Sequence, residues 1–183
     1  MAGIAVIRSR SWRKERDRMT GSVRAMGGGP APVIERVDPT DPAATQILAV
    51  LRRAWVEERR GGPQDDPGFE DALATWWERE APQRLAWVAS VGDEPVGMLN
   101  LLEFTRMPSP GAPAGRWGYL GNAFVLGEHR DRGIGRAMLD AAIAEARARD
   151  YVRIVLSPSA RSVPFYRRAG FRDPTELLVL PLD

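Results

Sequence analysis

The sequence predicts an α/β fold, an α+β mixture around one mixed sheet, in the order β-α-α-β-β-β-α-β-α-β. Three observations carry that prediction. A strand-length apolar run at 123–126 turns through a charged glycine loop, 128–135, into an amphipathic helix. Apolar stretches at 84–91 and 95–104 flank Gly92-Asp93-Glu94, the signature of an antiparallel hairpin. Two helical periodicities, from 42 to 60 and from 69 to 80, precede that hairpin.

Taken in order, residues 33–37 read as a first strand closed by Asp38-Pro39. Asp41-Pro42 then places an N-cap before proline at the first helical position, and Ile47, Leu48, Leu51, Ala54, Trp55 and Glu58 follow helical spacing. Gly61-Gly62-Pro63 ends that helix. In the second helix, Phe69, Leu73, Trp76 and Trp77 share one side until Ala81-Pro82 stops it. The hairpin follows, and residues 105–116, rich in proline and glycine, predict a loop. Beyond the central helix come a strand at 152–156, a short helix at 162–168 with Gly170 after it, and a last strand at 177–182.

Composition narrows the chemistry. The 183 residues are 44% hydrophobic and 27% charged, as expected of a globular protein of one domain. Cysteine is absent and His129 is the only histidine, so thiolate chemistry is excluded and no metal centre is expected. Residues 1–30 carry seven Arg or Lys against two Asp or Glu, whereas the remaining 153 carry 19 against 22. The basic balance therefore belongs to an N-terminal extension that ends in Gly27-Gly28-Gly29-Pro30 and reads as disordered. Residues 31–183 form the expected single domain. No apolar run approaches a membrane span or a secretory leader, so the expected location is the cytoplasm, with neither membrane nor nucleic acid as partner.

The glycine loop is the candidate functional centre. A strand, a glycine loop and a helix N-terminus present free N–H groups and a favourable dipole to an anion. The phosphate loop of NTPases requires G-x-x-x-x-G-K-[ST], and no lysine is near. A dinucleotide fingerprint requires a small residue where Met138 stands. Arg130-Asp131-Arg132-Gly133-Ile134-Gly135 instead fits Q/R-x-x-G-x-G/A. Gly133 and Gly135 allow close approach of phosphates, and Arg130, Arg132 and Arg136 offer cationic forks. The duller reading is a glycine turn with solvated arginines.

This loop resembles the pyrophosphate loop of the GNAT superfamily of N-acetyltransferases. Ser162-Val163-Pro164-Phe165-Tyr166-Arg167-Arg168-Ala169-Gly170-Phe171 is similar to the family's second signature, A-x-x-F-Y-x-x-x-G-F, one strand further on. Residues 119–125 resemble its fourth strand. The resemblance implies a sheet with splayed central strands and acetyl-CoA as co-substrate. Ala123, Phe124 and Val125 would hold the acyl-pantetheine arm, and residues 130–136 (with Asp131 and Ile134) the pyrophosphate. It implies Tyr166 as the acid that protonates the departing sulfur. Ser159 occupies a position where the family often has a pantetheine-binding asparagine.

The position of the family's occasional glutamate base is held by Tyr119, which leaves Glu103, Asn122 with a water, or no dedicated base. His129 is expected in solvent. The acceptor is an amine of a small molecule or peptide, expected beside Trp55, Trp76, Trp77, Glu57, Glu58, Asp65, Asp66 and Glu70, an aromatic and acidic set suited to a cation. Two classes remain open: an N-acetyltransferase, monomeric or homodimeric, and a non-catalytic acyl-CoA-binding or regulatory protein.

Overall fold

The computed structural model describes residues 30–174 and 177–182, so nearly all of the expected N-terminal extension lies outside the described residues. Asp41 starts helix α1 (Pro42–Arg60): its Oδ1 accepts the Ala43 N–H at 2.9 Å. Gly61, at φ +78°, ends it in the left-handed conformation, with N–H groups of Gly61 and Gly62 donating back to Glu58 and Glu57 carbonyls. Helix α2 (Phe69–Glu80) follows. Strand β1 (Val33–Arg36) precedes these helices, and β2 (Arg84–Val91) and β3 (Glu94–Thr105) form the expected hairpin. Strand β4 (Arg116–Val125) then leads to α3 (Ile134–Ala148), β5 (Tyr151–Val155) and α4 (Val163–Arg168).

The five strands lie in sequence order, antiparallel except for the parallel pair β4 and β5. Alternation along β3 separates the two layers. At Gly97 an added Cβ would stand 3.0 Å from Met138 of α3, while Asn100, on the other face, accepts from Arg84, which also bonds Glu80 of α2. Helix α3 buries Ile134, Met138, Leu139, Ala142 and Ala146 under the sheet; α1 buries Ile47, Leu48 and Leu51 over it, beside Trp77. Among the described residues no helix is long and apolar enough to cross a membrane.

One expected element is corrected. Residues 177–182 are not a strand; Leu178 and Leu180 are 97% and 80% exposed. Apolar composition alone does not make a strand, because the extended backbone needs a neighbouring ladder, and Pro181 has no N–H to give one.

Candidate active site

The site begins with a defect in the sheet. Between β3 and β4 the register steps from Asn100↔Gly121 to Met98↔Phe124, so Asn122 and Ala123 together oppose Leu99. Asn122 sits at φ +53°, a conformation asparagine accepts more readily than most residues. On the other side, β4 pairs with β5 only as far as Tyr119↔Val155. Beyond that point the two parallel strands part, leaving one edge of 120–125 without a neighbouring strand. A cavity of about 1380 Å³ opens there, reaching from α1 to the glycine loop and α4.

All but one of the catalytic and coenzyme-binding residues expected from the sequence surround this cavity. Ala123, Phe124, Val125, Arg130, Asp131, Gly133, Ile134, Gly135, Arg136, Ser159 and Tyr166 line it; Arg132 does not. Ser159 caps the approach to α4: its carbonyl accepts from Ser162 and Val163, and its Oγ lies 3.0 Å from that of Ser162.

The loop backbone forms an anion cradle. Asp131 and Gly133 are both left-handed, at φ +60° and +82°, a pattern that turns successive N–H groups toward one concave side. Helix α3 has no side-chain cap, and its first backbone bond runs from Ala137 to Gly133. The N–H groups of Ile134, Gly135 and Arg136 therefore have no acceptor among the described residues. This donor set fits a pyrophosphate.

The arginines are arranged differently from expectation. Arg130 donates through Nε to the Val125 carbonyl at 2.8 Å and through Nη2 to both oxygens of Glu58. It buttresses the loop against β4 and α1, with two of its three nitrogens engaged within the protein. Arg136 gives Nε to both Asp140 oxygens at 2.9 Å. Arg161 and Arg168, missed in the sequence, line the cavity instead. Arg168 stands inside the F-Y-R-R-A-G-F motif, where a cation two residues beyond the tyrosine was a usable signal.

Tyr166 is 9% exposed, packed edge-on between Phe165 and Phe171 with ring centroids 5.0 and 5.6 Å away. Burial pushes its phenol pKa above the ordinary value of 10.0, so it is a protonated donor at neutral pH. Among the described residues its hydroxyl makes no hydrogen bond, and the residue lines the cavity.

The expected acceptor wall is dispersed. Trp77 is in the core, Trp76 lies against Arg84, and Glu57 accepts the Gln64 N–H. Arg53 takes both Glu70 oxygens and the Asp66 carbonyl. Helix α1 thus brings only Trp55 and Glu58 of that set to the cavity, together with Arg59. Glu103 is no candidate base, because it is held by Tyr151, Arg149 and Arg116 at the opposite end of β4. His129 is not in solvent: its side chain is 13% exposed, its Nδ1 is buried without a partner, and its Nε2 faces Glu94 at 3.8 Å.

Comparison with known proteins agrees with this geometry. Residues 46–171 match the model of the acetyltransferase (GNAT) family, and the chain belongs to that family. Among solved structures, a predicted acetyltransferase with acetyl-CoA from Clostridium acetobutylicum is 22% identical, with a TM-score of 0.63 over 82% of this chain and 96% of that one. A GCN5-related N-acetyltransferase from Ralstonia eutropha is 25% identical, with a TM-score of 0.61 over 83% and 99%. An aminoglycoside acetyltransferase from an uncultured soil metagenomic sample is 19% identical, with a TM-score of 0.61 over 84% and 99%. No curated protein matches the sequence significantly.

Proposed function

We propose that this protein is an acetyl-CoA-dependent N-acetyltransferase acting on a primary amine of a small molecule or peptide, with residues 31–183 as its catalytic domain. One observation carries the reading: the unpaired edge of β4 runs between the acceptor-free N–H groups at the start of α3 and the phenol of Tyr166. The loop from Asp131 to Arg136 holds the coenzyme pyrophosphate, and Ala123 to Val125 hold its pantetheine arm as an added strand. Ser159 faces the same arm. Acetyl-CoA supplies the thioester as acyl donor.

The amine nitrogen attacks the thioester carbon, whose oxygen is polarised by β4 N–H groups; the C–S bond breaks, and Tyr166 gives its proton to the sulfur. The amine proton passes to water. The lining carboxylates among the described residues are Glu58, paired with Arg130, and Asp131 in the phosphate loop, so no dedicated base is assigned. The test is to incubate the full chain with acetyl-CoA and a panel of amines, aminoglycosides, amino acids and peptides. The expected result is free thiol and acetylated product in equal amounts. Tight acetyl-CoA binding with no product from any amine would instead leave an acyl-CoA-binding protein.

A further inference from the structure

Among the described residues, the α1 wall of the cavity presents a free cation where the sequence suggested acidic residues. Positions 52, 55 and 59 fall on one face of α1, at spacings of three and four. Trp55 and Arg59 line the cavity; Arg52 does not. Arg52 lies 4.2 Å over the Trp55 ring and donates from Nη1 to Asn122 Oδ1 at 3.3 Å, which ties it to the bulge in β4. Among the described residues neither Arg52 nor Arg59 is in an ion pair. The carboxylate beside them, Glu58, is taken by Arg130.

This wall is electrostatically unsatisfied. Partial burial and the charge of Arg59 hold the Arg52 guanidinium pKa below its ordinary value. Two like charges, one of them partly withdrawn from water, favour an anion beside them. Guanidinium forks match carboxylate and phosphate oxygens in particular. Asn122 immediately precedes the β4 segment assigned to the thioester, so such an anion would sit on the acceptor's side of the reacting carbon.

We propose that Arg59, supported by the charge of the neighbouring Arg52, forms an anion subsite for the acceptor, so that the amine acetylated here also carries a carboxylate or a phosphate, seated against Trp55. The inference rests on the transferase reading above for its substrate role. It adds an anionic group to the expected amine acceptor, because Glu57 and Glu70, two of the acidic residues that suggested a purely cationic one, are engaged by Gln64 and Arg53.

The test uses the full chain loaded with CoA or acetyl-CoA and two matched pairs of probes. Aminohexanoate against its neutral amide reads a carboxylate, and aminoethyl phosphate against ethanolamine reads a phosphate. Binding is followed by ligand-observed NMR and transfer by kcat/KM. At least one anionic member should be preferred by about tenfold, and Arg59→Ala or Arg52→Gln should remove about that factor. Acetyl-CoA affinity should stay within about twofold, and added salt should erode the preference. Equal binding of charged and neutral members, or no binding by any of the four, overturns the subsite. A loss in Arg59→Ala confined to acetyl-CoA affinity also overturns it and assigns the arginine to the coenzyme. Anion-selective binding abolished in the variants, with no acetylation, would sustain the subsite and sink the transferase reading.

Discussion

Tyr166 is packed edge-on between Phe165 and Phe171, so replacing its hydroxyl removes a proton donor while the ring packing remains. Tyr166→Phe should lower kcat by about 10² with acetyl-CoA affinity unchanged, read by steady-state kinetics and calorimetry. The two glycines of the loop serve different needs. Gly133 is required by its φ of +82°, whereas a Cβ on Gly135 would meet Phe165 and Val125 only at ordinary contact distance, 3.8 Å. Gly135→Glu should therefore fold, with its thermal midpoint within a few degrees of the parent, yet lose acetyl-CoA binding by calorimetry. Gly133→Ala should instead destabilise the fold itself, by about 1 kcal/mol. The identity of these residues was legible in the sequence. The engagement of Arg130 by Glu58 was not, because those residues are 72 apart in the chain and meet only through the packing of α1 beside the loop.

At the scale of elements, Arg53 is the fastening between the first two helices. It donates to both Glu70 oxygens at 2.7 Å and to the carbonyls of Gln64 and Asp66, and its guanidinium lies 5.2 Å from the Phe69 ring. Arg53→Ala should cost about 1–2 kcal/mol in urea unfolding, since it strands several acceptors in a partly exposed loop. Helix limits at 42–60 and 69–80 follow from Asp41-Pro42, Gly61 and Pro82, local signals that act within one turn. The strand expected at 177–182 failed because strands are completed by neighbours. The β4 bulge was likewise hidden: Asn122 and Ala123 look like any strand residues until β3 supplies a single residue, Leu99, opposite them.

Over the whole molecule, ion pairs join elements distant in sequence. Glu145 of α3 holds Arg36 of β1 at 2.8 Å and Arg149 at 2.7 Å, as Glu70 holds Arg53. Hydrogen bonds from Arg149 and from Arg53 hold these two carboxyls below their ordinary value of 4.5. A carboxyl lowered in the folded state contributes stability that is fully present above its unfolded value and is lost as pH falls through the folded one. Urea midpoints should thus be flat from neutral pH to about 5 with respect to these groups and then decline on acidification. In the double variant Glu70→Gln, Glu145→Gln, a shallower decline is expected.

The sequence by itself determined the element order as far as the short helix after β5, the family and the glycine loop with its tyrosine, because each is written in short-range pattern: alternation, helical period, caps and fixed motif spacing. Tertiary structure decided which charges are free. Arginine and carboxylate choose partners by proximity in space, so Arg130 became a buttress, Glu57 and Glu70 became internal ties, and Arg59 was left lining the cavity, with Arg52 near it, neither in an ion pair among the described residues.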